Sequence, residues 1–347
     1  MKKRHRLASS SDVARLAGVS QSAVSRTFSP HGSVSEKTRE RVLAAARQLD
    51  YRPNALPAIM QGKGSNMVAI VLGGMHNPFY ARVLESLTRH LQQRGQQVLV
   101  THVESDHALD GAIEQLMRYR VDAIVSALAV MTPEIAQVLS ATHIPVVAFN
   151  NLQNAPGVSS VNSDNHEAGQ QIAHYFLKQG HRHFCFIHGP EGSPAEQLRF
   201  QGFAHVVEKS AVAADKGVTL SEARGHYDYA GGQEAIRSLW VSGQRPTAIF
   251  CANDLMALGV MDTLRYDFNV HIPDEVAIVG YDNIESAAWK AYGLSSFDQN
   301  VNAMVEGTLA LLDEHNDGAP GQVLTIPPVF HERKSSFSVQ QASTSIP

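Results

Sequence analysis

Three short segments at the start of the chain carry apolar residues at helical spacing. In the first, Val13, Leu16 and Ala17 follow intervals of three and four residues, which predicts one buried helix face. Ser11 stands where an N-cap belongs, and Gly18 stands where the helix should end. This segment is therefore predicted to be a short amphipathic helix that packs against a neighbour.

The next two segments repeat this arrangement. Ser20 precedes a second helix, and Ser35 precedes a third helix that ends before Pro53. The residues predicted to face inward are Ala23, Val24 and Phe28 in the second helix and Val42, Leu43, Ala46 and Leu49 in the third. Two helices joined by a tight turn that contains a glycine predict a helix-turn-helix, and the third helix completes its core.

From Met67 onward, short apolar runs alternate with amphipathic segments. One series of apolar runs reads MVAIVLGG, QQVLVTHV, VDAIVSAL and PVVAFNN, and a second includes HFCFIHG, TAIFCAND and EVAIVGYD. Segments with helical spacing, such as YARVLESLTRHLQQRG, lie between the runs. Alternation of this kind predicts parallel sheets covered by helices on both faces. The two series predict two doubly wound halves.

Charge divides the chain at the same place. Residues 1–63 hold twelve Lys and Arg against four Asp and Glu, a net charge of +8, and the rest of the chain carries −12. A basic module attached to an acidic body indicates a protein that meets a polyanion through one part only. A solvated basic face is the alternative, and charge alone does not decide between them.

Composition narrows the class of protein. The 347 residues with 44% hydrophobic content suffice for two or three domains with real cores. No apolar run approaches the roughly 18 residues of a membrane span, and the basic start MKKRHRL is not followed by the apolar region of a signal peptide. Cys185 and Cys251 lie in apolar runs, which favours packed thiols. We therefore expect a cytoplasmic protein without a membrane partner.

The second helix has a polar face suited to base recognition. Its outward residues are predicted to be Gln21, Ser22, Ser25 and Arg26. Short side chains allow a helix to approach the major groove closely, while Gln and Arg reach base edges. Candidates for phosphate contacts are Ser11, Ser20, Ser25, Thr38 and Arg39. A three-helix bundle that docks a protein would explain the caps and the core equally well, but not the charge.

The stretch SDVARLAGVSQSAVSRTF, followed by VSEKTRERVLAAARQLDYRPNAL, resembles the DNA-binding headpiece of the LacI/GalR family of bacterial transcription regulators. The resemblance implies a dimer that places two recognition helices in successive major grooves of a pseudo-palindromic operator. It also implies that Gln21, Ser22 and Arg26 read bases, and that Asn54 is among the DNA contacts.

The segment that follows departs from the family. The family carries Ala-Arg-Ser-Leu in a hinge helix whose Leu inserts into the minor groove, whereas this chain has PAIM at residues 57–60. Met60 aligns with the inserting Leu and is an apolar side chain able to intercalate. Pro57 is tolerated in a first helical turn, where an amide has no intrahelical acceptor. The hinge helix is therefore expected to form, followed by the flexible segment QGKGSN.

The rest of the chain resembles the body of the same family, which is similar to periplasmic sugar-binding proteins. Matching segments include NPFY, SDNHEAG, AIFCANDLMALGVMDTLR and IPDEVAIVGYDNIESA. The expected fold is an all-α helix-turn-helix headpiece plus an α/β periplasmic-binding-protein-like body of two doubly wound parallel-sheet subdomains. The expected boundaries are a headpiece over 1–52, a hinge and linker over 53–66, an N-subdomain over 67–162 and 293–321, a C-subdomain over 163–292 and 322–340, and a tail over 341–347.

Polar residues at the strand ends mark where an effector would bind, because ligands of open α/β sheets lie beyond the carboxyl ends of the strands. The predicted effector-binding residues at these ends are His76, Asn77, Phe79, Asn150, Asn253 and Asp282. The resemblance adds Arg199, Tyr227 and Trp289. A sugar would use carboxylate, amide and guanidinium groups for its hydroxyls and an aromatic face for its C–H surface.

Other roles for these residues remain open. Asn253, Asp254 and Asp282 precede helical segments and are also candidates for helix capping. Asn150 replaces the Asp that is frequent in the family, which disfavours a neutral sugar held by two carboxylates. It leaves room for a sugar acid or a sugar phosphate near Arg199.

Other chemistry finds little support in the sequence. The cluster of His181, His183, Cys185 and His188 is divided between the two faces of a strand, so no metal site is expected. Neither a nucleophile paired with a base nor a phosphate-cradling motif occurs, so neither an enzyme nor a cofactor is expected.

The sequence therefore predicts a transcriptional regulator, most simply a repressor, that binds operator DNA as a homodimer under the control of a small polar effector. Two alternatives remain: a sugar-binding protein without a DNA function, and an activator that uses the same sites.

Overall fold

The computed structural model consists of two compact units, which meet in sequence between Ser65 and Asn66. The structure describes residues 8–29, 32–53, 64–103, 106–128, 133–142, 144–151, 155–214, 217–315 and 319–337. The predicted hinge residues Pro57 and Met60, and the predicted DNA contact Asn54, lie outside the described residues.

The described helices of the first unit are α1 (Ser10–Ala17), α2 (Gln21–Thr27) and α3 (Glu36–Gln48). Ser20 and Ser35 cap α2 and α3 as predicted. The cap of α1 is Ser9 rather than the predicted Ser11. The Ser9 hydroxyl accepts from the Asp12 amide (3.3 Å), and the Asp12 carboxylate accepts from the Ser9 amide (3.0 Å). This reciprocal pair starts the helix earlier.

Small residues form much of the core of the first unit. Its fully buried positions are Val13, Ala14, Ala17, Val24, Val42, Ala45 and Ala46. Leu16 is 47% exposed, so its predicted inward position is wrong. Ala17 lies four residues after Val13 and three after Ala14, so these positions satisfy the same helical spacing, and the small residues, not Leu16, are buried.

Two arginines bind the ends of α1 and α2 to α3. Arg41 donates to the carbonyls of Ala17 and Gly18, and Arg39 donates to the carbonyl of Thr27 (3.3 Å). The last carbonyls of a helix have no intrahelical donors, so these contacts satisfy them. Gly18 ends α1 with a φ of 61°, in the left-handed region that glycine adopts readily.

The second unit is built on two six-stranded sheets. The first contains, in spatial order, β11 (Val323–Ile326), β5 (Val158–Ser163), β4 (Val146–Phe149), β3 (Ala123–Ala127), β1 (Met67–Leu72) and β2 (Gln97–His102). The second contains β12 (Val329–His331), β10 (Ser295–Asp298), β9 (Ala277–Tyr281), β8 (Ala248–Cys251), β6 (His183–His188) and β7 (Thr219–Arg224).

Helices cover both sheets. Those beside the first sheet are α4 (Pro78–Gln93), α5 (Asp106–Tyr119), α6 (Pro133–Ser140) and α11 (Val301–Asp313). Those beside the second are α7 (Asn165–Lys178), α8 (Pro194–Ala214), α9 (Tyr229–Val241) and α10 (Asp254–Asp262). A π-helical turn, Thr263–Asp267, continues α10, and a 3₁₀ turn occupies Glu285–Ala288. None of the described helices is long and apolar enough to span a membrane.

The inner strands of both sheets are buried on both faces, which confirms the predicted layering. Along β1, Ile70 belongs to one hydrophobic cluster and Val71 to another, and both are fully buried. Successive side chains of a strand point to opposite faces, so helices must cover each face. The second sheet has an aromatic core around Phe186, Phe203 and Phe250.

One edge of the second sheet departs from the prediction of wholly parallel sheets. β12 pairs with β10 in the antiparallel sense, whereas the other pairs of both sheets are parallel. The chain passes directly from the end of β11 into β12. β11 ends at the carboxyl edge of the first sheet, and β12 begins two residues later at the facing edge of the second sheet, so β12 runs away from that edge and opposite to β10.

The chain passes between the sheets three times, and two of these crossings lie later than predicted. Ser295–Asp298 pairs with β9 of the second sheet, although the prediction assigned residues 293–321 to the first subdomain. Val323–Ile326 pairs with β5 of the first sheet, although the prediction assigned residues 322–340 to the second subdomain. The parallel pairing with β9 continues to Phe297, and that of β11 with β5 continues to Ile326, so the chain crosses only after these residues.

Candidate functional site

The predicted base-reading residues lie together on the surface of α2. The exposed side chains are Gln21, Ser22, Ser25 and Arg26, while Val24 and Thr27 on the opposite face are buried. The Gln21 amide donates to the hydroxyl of Ser10 on α1 (2.8 Å). Arg26 donates through Nε to the carbonyl of Ser22 (3.3 Å). The face is thus supported both by its own helix and by α1.

The residues predicted to contact phosphates differ in their exposure and in their hydrogen bonds. Ser11 is exposed in the first turn of α1, and Ser20 uses its hydroxyl to cap α2. Thr38 and Arg39 are half-buried at the start of α3. Arg39 binds the carbonyl of Thr27, so this side chain has a structural role at the end of α2.

A cavity of about 150 Å³ lies in the second unit, where the carboxyl ends of strands from both sheets meet. It contains all but one of the predicted effector residues: His76, Asn77, Phe79, Asn150, Arg199, Tyr227, Asn253 and Asp282. A cavity of about this volume holds one benzene ring. The space therefore suits a single small ring.

Asp282 provides a buried carboxylate that links the two sheets. Oδ2 accepts from the amide of Asn77, at the start of α4 (3.0 Å), and Oδ1 accepts from the amide of Gln299, after β10 (2.6 Å). Burial raises the pKa of Asp282, while Arg199 and the two amides act in the opposite direction. Asp282 has a φ of 106°, a backbone conformation that L-residues rarely adopt.

Arg199 provides a buried cation at the same cavity. It is 4% exposed, and its guanidinium lies 3.7 Å from the ring centroid of Tyr281. Nε donates to Asn165 (2.7 Å), and Nη1 donates to the carbonyl of Ala252. Among the described residues no carboxylate lies within ion-pair distance of Arg199. Neutral hydrogen-bond acceptors and the face of an aromatic ring stabilise its charge instead.

The capping alternative holds for Asn253. Its Oδ1 accepts from the Met256 amide at the start of α10 (3.0 Å), and its Nδ2 donates to the carbonyl of Tyr227 (2.9 Å). The neighbouring Asp254 instead accepts from the Ile284 amide (2.8 Å) and the Ser296 hydroxyl (2.6 Å). Asn253 thus lines the cavity while its polar atoms stabilise the fold.

Two carbonyl groups that line the cavity have no hydrogen-bond donor among the described residues. They are Oδ1 of Asn150 and Oε1 of Gln299, both buried. A buried acceptor without a donor costs about 1–3 kcal/mol, so a ligand that donates to it is favoured. Asn150 also has a φ of 56°, which Asn tolerates better than most residues.

Aromatic rings form part of the cavity wall. Phe79 and Tyr80 pack edge to face, with ring centroids 5.3 Å apart. Tyr227 donates its hydroxyl to Ser193 (3.1 Å), and burial raises its pKa to about 12. Trp289 does not line the cavity: it follows the 3₁₀ turn and is 55% exposed, so its predicted effector contact is wrong. That turn directs the side chain to the surface.

Several residues that line the cavity were not predicted from the sequence, namely Gly74, Tyr80, Pro190, Ser193, Ala195, His226 and Gln299. Tyr80 directly follows Phe79 in the NPFY segment and could have been included. Gln299 follows β10, whose short polar sequence SSFD carries no clear strand pattern. The lining residues on α8 depend on how that helix docks, which a pattern does not reveal.

The histidines on and near β6 do not converge on one point. His188 lies between the carboxylates of Glu196 and Glu222, the latter at 2.9 Å, while His183 is exposed at the start of β6. Within the described residues, no group of three or more His, Cys, Asp or Glu side chains is placed to hold a metal ion.

Comparisons with known proteins agree over both units. A model of bacterial regulatory proteins of the lacI family matches residues 11–54, and a model of periplasmic binding proteins and the sugar-binding domain of the LacI family matches residues 65–310. The ribose operon repressor of Escherichia coli (strain K12) is 30% identical, covering 95% of this chain and 100% of its own length. The transcriptional repressor PurR of Haemophilus influenzae is 26% identical over 96% of this chain. The lac repressor dimer bound to operator and the anti-inducer ONPF has a similar fold, with a TM-score of 0.84 at 24% identity, covering 96% of this chain and 100% of that one.

Proposed function

We propose that this chain, which belongs to the LacI family of bacterial regulatory proteins, represses its target genes as a homodimer on a pseudo-palindromic operator. It is a DNA-binding transcriptional regulator with a small-molecule effector. The effector part of this proposal rests on the position and hydrogen bonds of the Asp282 carboxylate. This carboxylate lines the cavity and accepts hydrogen bonds from residues of both sheets. A ligand that binds Asp282 competes for, or adds to, the contacts that join the two halves.

The exposed face of α2 supports the DNA part of the proposal. Base recognition is assigned to Gln21, Ser22 and Arg26, which share that face. The net charge of +8 over residues 1–63 supplies attraction to phosphates, and affinity should therefore fall steeply with salt. A two-fold dimer would place two such helices about one turn of DNA apart.

The effector is proposed to be a single sugar ring. The unpaired carbonyls of Asn150 and Gln299 call for hydroxyl donors, while Arg199 offers a cation to a ligand oxygen. Arg199 and Asp282 balance each other in charge, which favours a neutral sugar over a sugar acid or sugar phosphate. The relative that is 30% identical is named a ribose operon repressor, so D-ribose belongs in the first panel of ligands.

Effector control is proposed to act by a shift of population. A ligand that contacts both sheets favours one arrangement of the subdomains, and DNA affinity changes by the ratio of its affinities for the two arrangements. Coupling of this kind typically changes affinity about 5–150-fold.

We also propose that the protein acts in the cytoplasm and catalyses no reaction. Among the described residues, the Ser193 hydroxyl at the cavity is paired with the Tyr227 hydroxyl and the amide of Glu196 (3.5 Å), and no hydrogen bond joins it to a histidine or a carboxylate. Absence of turnover for every sugar that binds would support this proposal, and turnover of any of them would overturn it.

DNA recognition is tested by selecting binding sites for the full-length protein from random-sequence DNA. Arg26→Ala is expected to relax the selected sequence and to weaken binding by about 1–3 kcal/mol. Arg47→Ala is the matched control, because Arg47 is exposed on α3 and outside the α2 face. An Arg26→Ala protein with the wild-type sequence preference would contradict the assignment of α2 as the recognition helix.

A further inference from the structure

Arg82 connects the two sheets from outside the cavity. It lies on α4, beside the first sheet, and does not line the cavity. Its Nη2 is 3.0 Å from Oδ1 of Asp298, at the end of β10 in the second sheet. The guanidinium also donates to the carbonyls of Asn283 (3.3 Å) and Asp282 (3.5 Å), which follow β9. One side chain thus contacts the ends of two strands of the opposite sheet.

The partners of Arg82 are bonded to each other. The Asp298 carboxylate accepts from the side-chain amide of Asn283 (3.2 Å) and from the backbone amide of Asn300 (2.7 Å). Arg333 in turn donates to Oδ1 of Asn283 (2.7 Å). The segments after β9 and β10 therefore form one hydrogen-bonded body, and Arg82 is attached to it from the first sheet.

The same two segments carry the cavity residues Asp282 and Gln299. The Asp282 carboxylate faces the cavity, whereas its backbone carbonyl accepts from Arg82. Gln299 directly follows Asp298, the ion-pair partner of Arg82. Asn77, at the start of α4, donates to the Asp282 carboxylate. The first two turns of α4 therefore hold the Asp282 segment through Asn77 at the cavity and through Arg82 behind it.

We propose that Arg82 is a positioning residue that latches the two sheets in the arrangement seen in this structure and thereby sets how readily the effector cavity opens. It acts through Asp298, Asn283 and Asp282 and does not touch the effector. Its regulatory consequence rests on the proposed function of the cavity, whereas the latch itself is a property of the second unit alone.

The chemistry of the contact suits a latch. A planar guanidinium can serve a carboxylate and two carbonyls at once, which the single ammonium of lysine cannot reproduce. Arg82 and Asp298 are partly exposed, with 38% and 22% of their side-chain surface accessible, so solvent weakens the ion pair. A contact of this strength can be broken when the cleft opens and re-formed when it closes.

The test measures closure in the full-length protein without DNA or ligand. Spin labels on Gln92→Cys and Lys178→Cys report the distance between α4 and α7, which lie beside different sheets. The native Cys185 and Cys251 are fully buried and should not label. Mixing with an excess of unlabelled protein restricts the measured distances to single chains.

Arg82→Gln is expected to raise the share of a second, longer distance about tenfold over wild type, as from ~1% to ~10%. Asp298→Asn should act in the same direction, and the double variant should add little because both changes remove one contact. Arg82→Lys should fall between wild type and Arg82→Gln. The reversed pair Arg82→Asp with Asp298→Arg should recover part of the short distance.

Arg94→Gln is the matched control. Arg94 follows α4 and pairs with Asp313 of α11 (2.9 Å), within the layers of the first sheet. It should leave the distances unchanged. If Arg82→Gln kept the wild-type distances while its thermal midpoint matched that of Arg94→Gln, the latch would be refuted. Because neither DNA nor effector is present in this measurement, refutation of the latch would leave the proposed function intact. Likewise, failure of the proposed function would leave the latch intact.

Discussion

Replacing Gly169 with alanine should separate the two helices that place Arg199 at the cavity. Gly169 lies on α7 and faces α8. A Cβ at this position would lie 2.1 Å from the carbonyl oxygen of Arg199 and 2.8 Å from the amide nitrogen of Phe203. Gly202 of α8 faces α7 in the same way, since its Cβ would lie 2.0 Å from the carbonyl of His166. The two helices therefore meet at backbone contact, which only glycine permits.

The size of the effect follows from these distances. A carbon normally stays about 3.3 Å from a carbonyl oxygen, so α7 and α8 must move apart by about 1 Å. The obstructing atoms are backbone and cannot rotate away, which places the change at the upper end of the ~1–3 kcal/mol range for overpacking. Alanine recovers up to ~1 kcal/mol through its higher helix propensity. We expect a net loss of about 2 kcal/mol, or about 4–8 °C in the thermal midpoint.

The assay is thermal unfolding of the full-length protein together with effector binding by calorimetry. Gly169→Ala should lower the midpoint and weaken effector binding, since the helix that carries Arg199 shifts. His174→Ala, an exposed position of α7, is the control and should change neither quantity. A Gly169→Ala protein within 1 °C of wild type, with unchanged effector affinity, would refute the claim that close contact between α7 and α8 places Arg199.

Three further predictions concern other contacts. Arg41→Ala removes donors to the carbonyls of Ala17 and Gly18 and should speed amide hydrogen exchange in α1 of the full-length protein about tenfold, whereas equal rates would contradict this role. Burial, and then the charge of Asp282, raise the pKa of Asp254 well above its ordinary value of 3.8. The protonated Asp254 therefore stabilises the folded protein fully below pH 3.8, and this stabilisation is lost as the pH rises through the raised pKa. The midpoint of Asp254→Asn relative to wild type should therefore increase from about pH 4 to about pH 8, and a constant difference would count against the prediction. Asn150→Ala removes an unpaired cavity acceptor and should weaken effector binding about tenfold in calorimetry, while Asn150→Asp retains an acceptor and should bind more tightly than the alanine variant.

Local signals in the sequence were sufficient for most of the first unit. Ser20, Ser35 and Gly18 act through hydrogen bonds and backbone angles within a few residues, so their roles can be predicted without the tertiary fold. Leu16 could not be placed in this way, because two sets of positions satisfy the same helical spacing. Packing against α2 and α3 decided between them.

In the second unit, the strands that could not be predicted from the sequence are mainly those with polar residues. β5 reads VSSVNS and is buried, and β7 reads TLSEAR at the edge of its sheet; neither has the apolar run by which β1 or β8 is recognised. The crossings after Asp298 and Ile326 were also missed, because strand pairing, and not composition, determines to which sheet a segment belongs.

Residues that directly follow apolar strands could be placed at the edge of the cavity from the sequence. Asn150, Asn253 and Asp282 were found because parallel strands bring their carboxyl ends to one edge. Gln299 and Ser193 were not, since their positions depend on a short polar strand and on the docking of α8. Trp289 was placed wrongly because the direction of its side chain is determined by the 3₁₀ turn before it.

The central claim is that occupancy of the cavity controls DNA binding. Its most direct test is the affinity of the full-length protein for its selected DNA site, measured by fluorescence anisotropy at increasing concentrations of a sugar that raises the thermal midpoint. We expect a change of about 5–150-fold in DNA affinity for the wild type and of less than about twofold for Asp282→Asn, at equal salt. A sugar that binds the cavity while DNA affinity stays constant would contradict it.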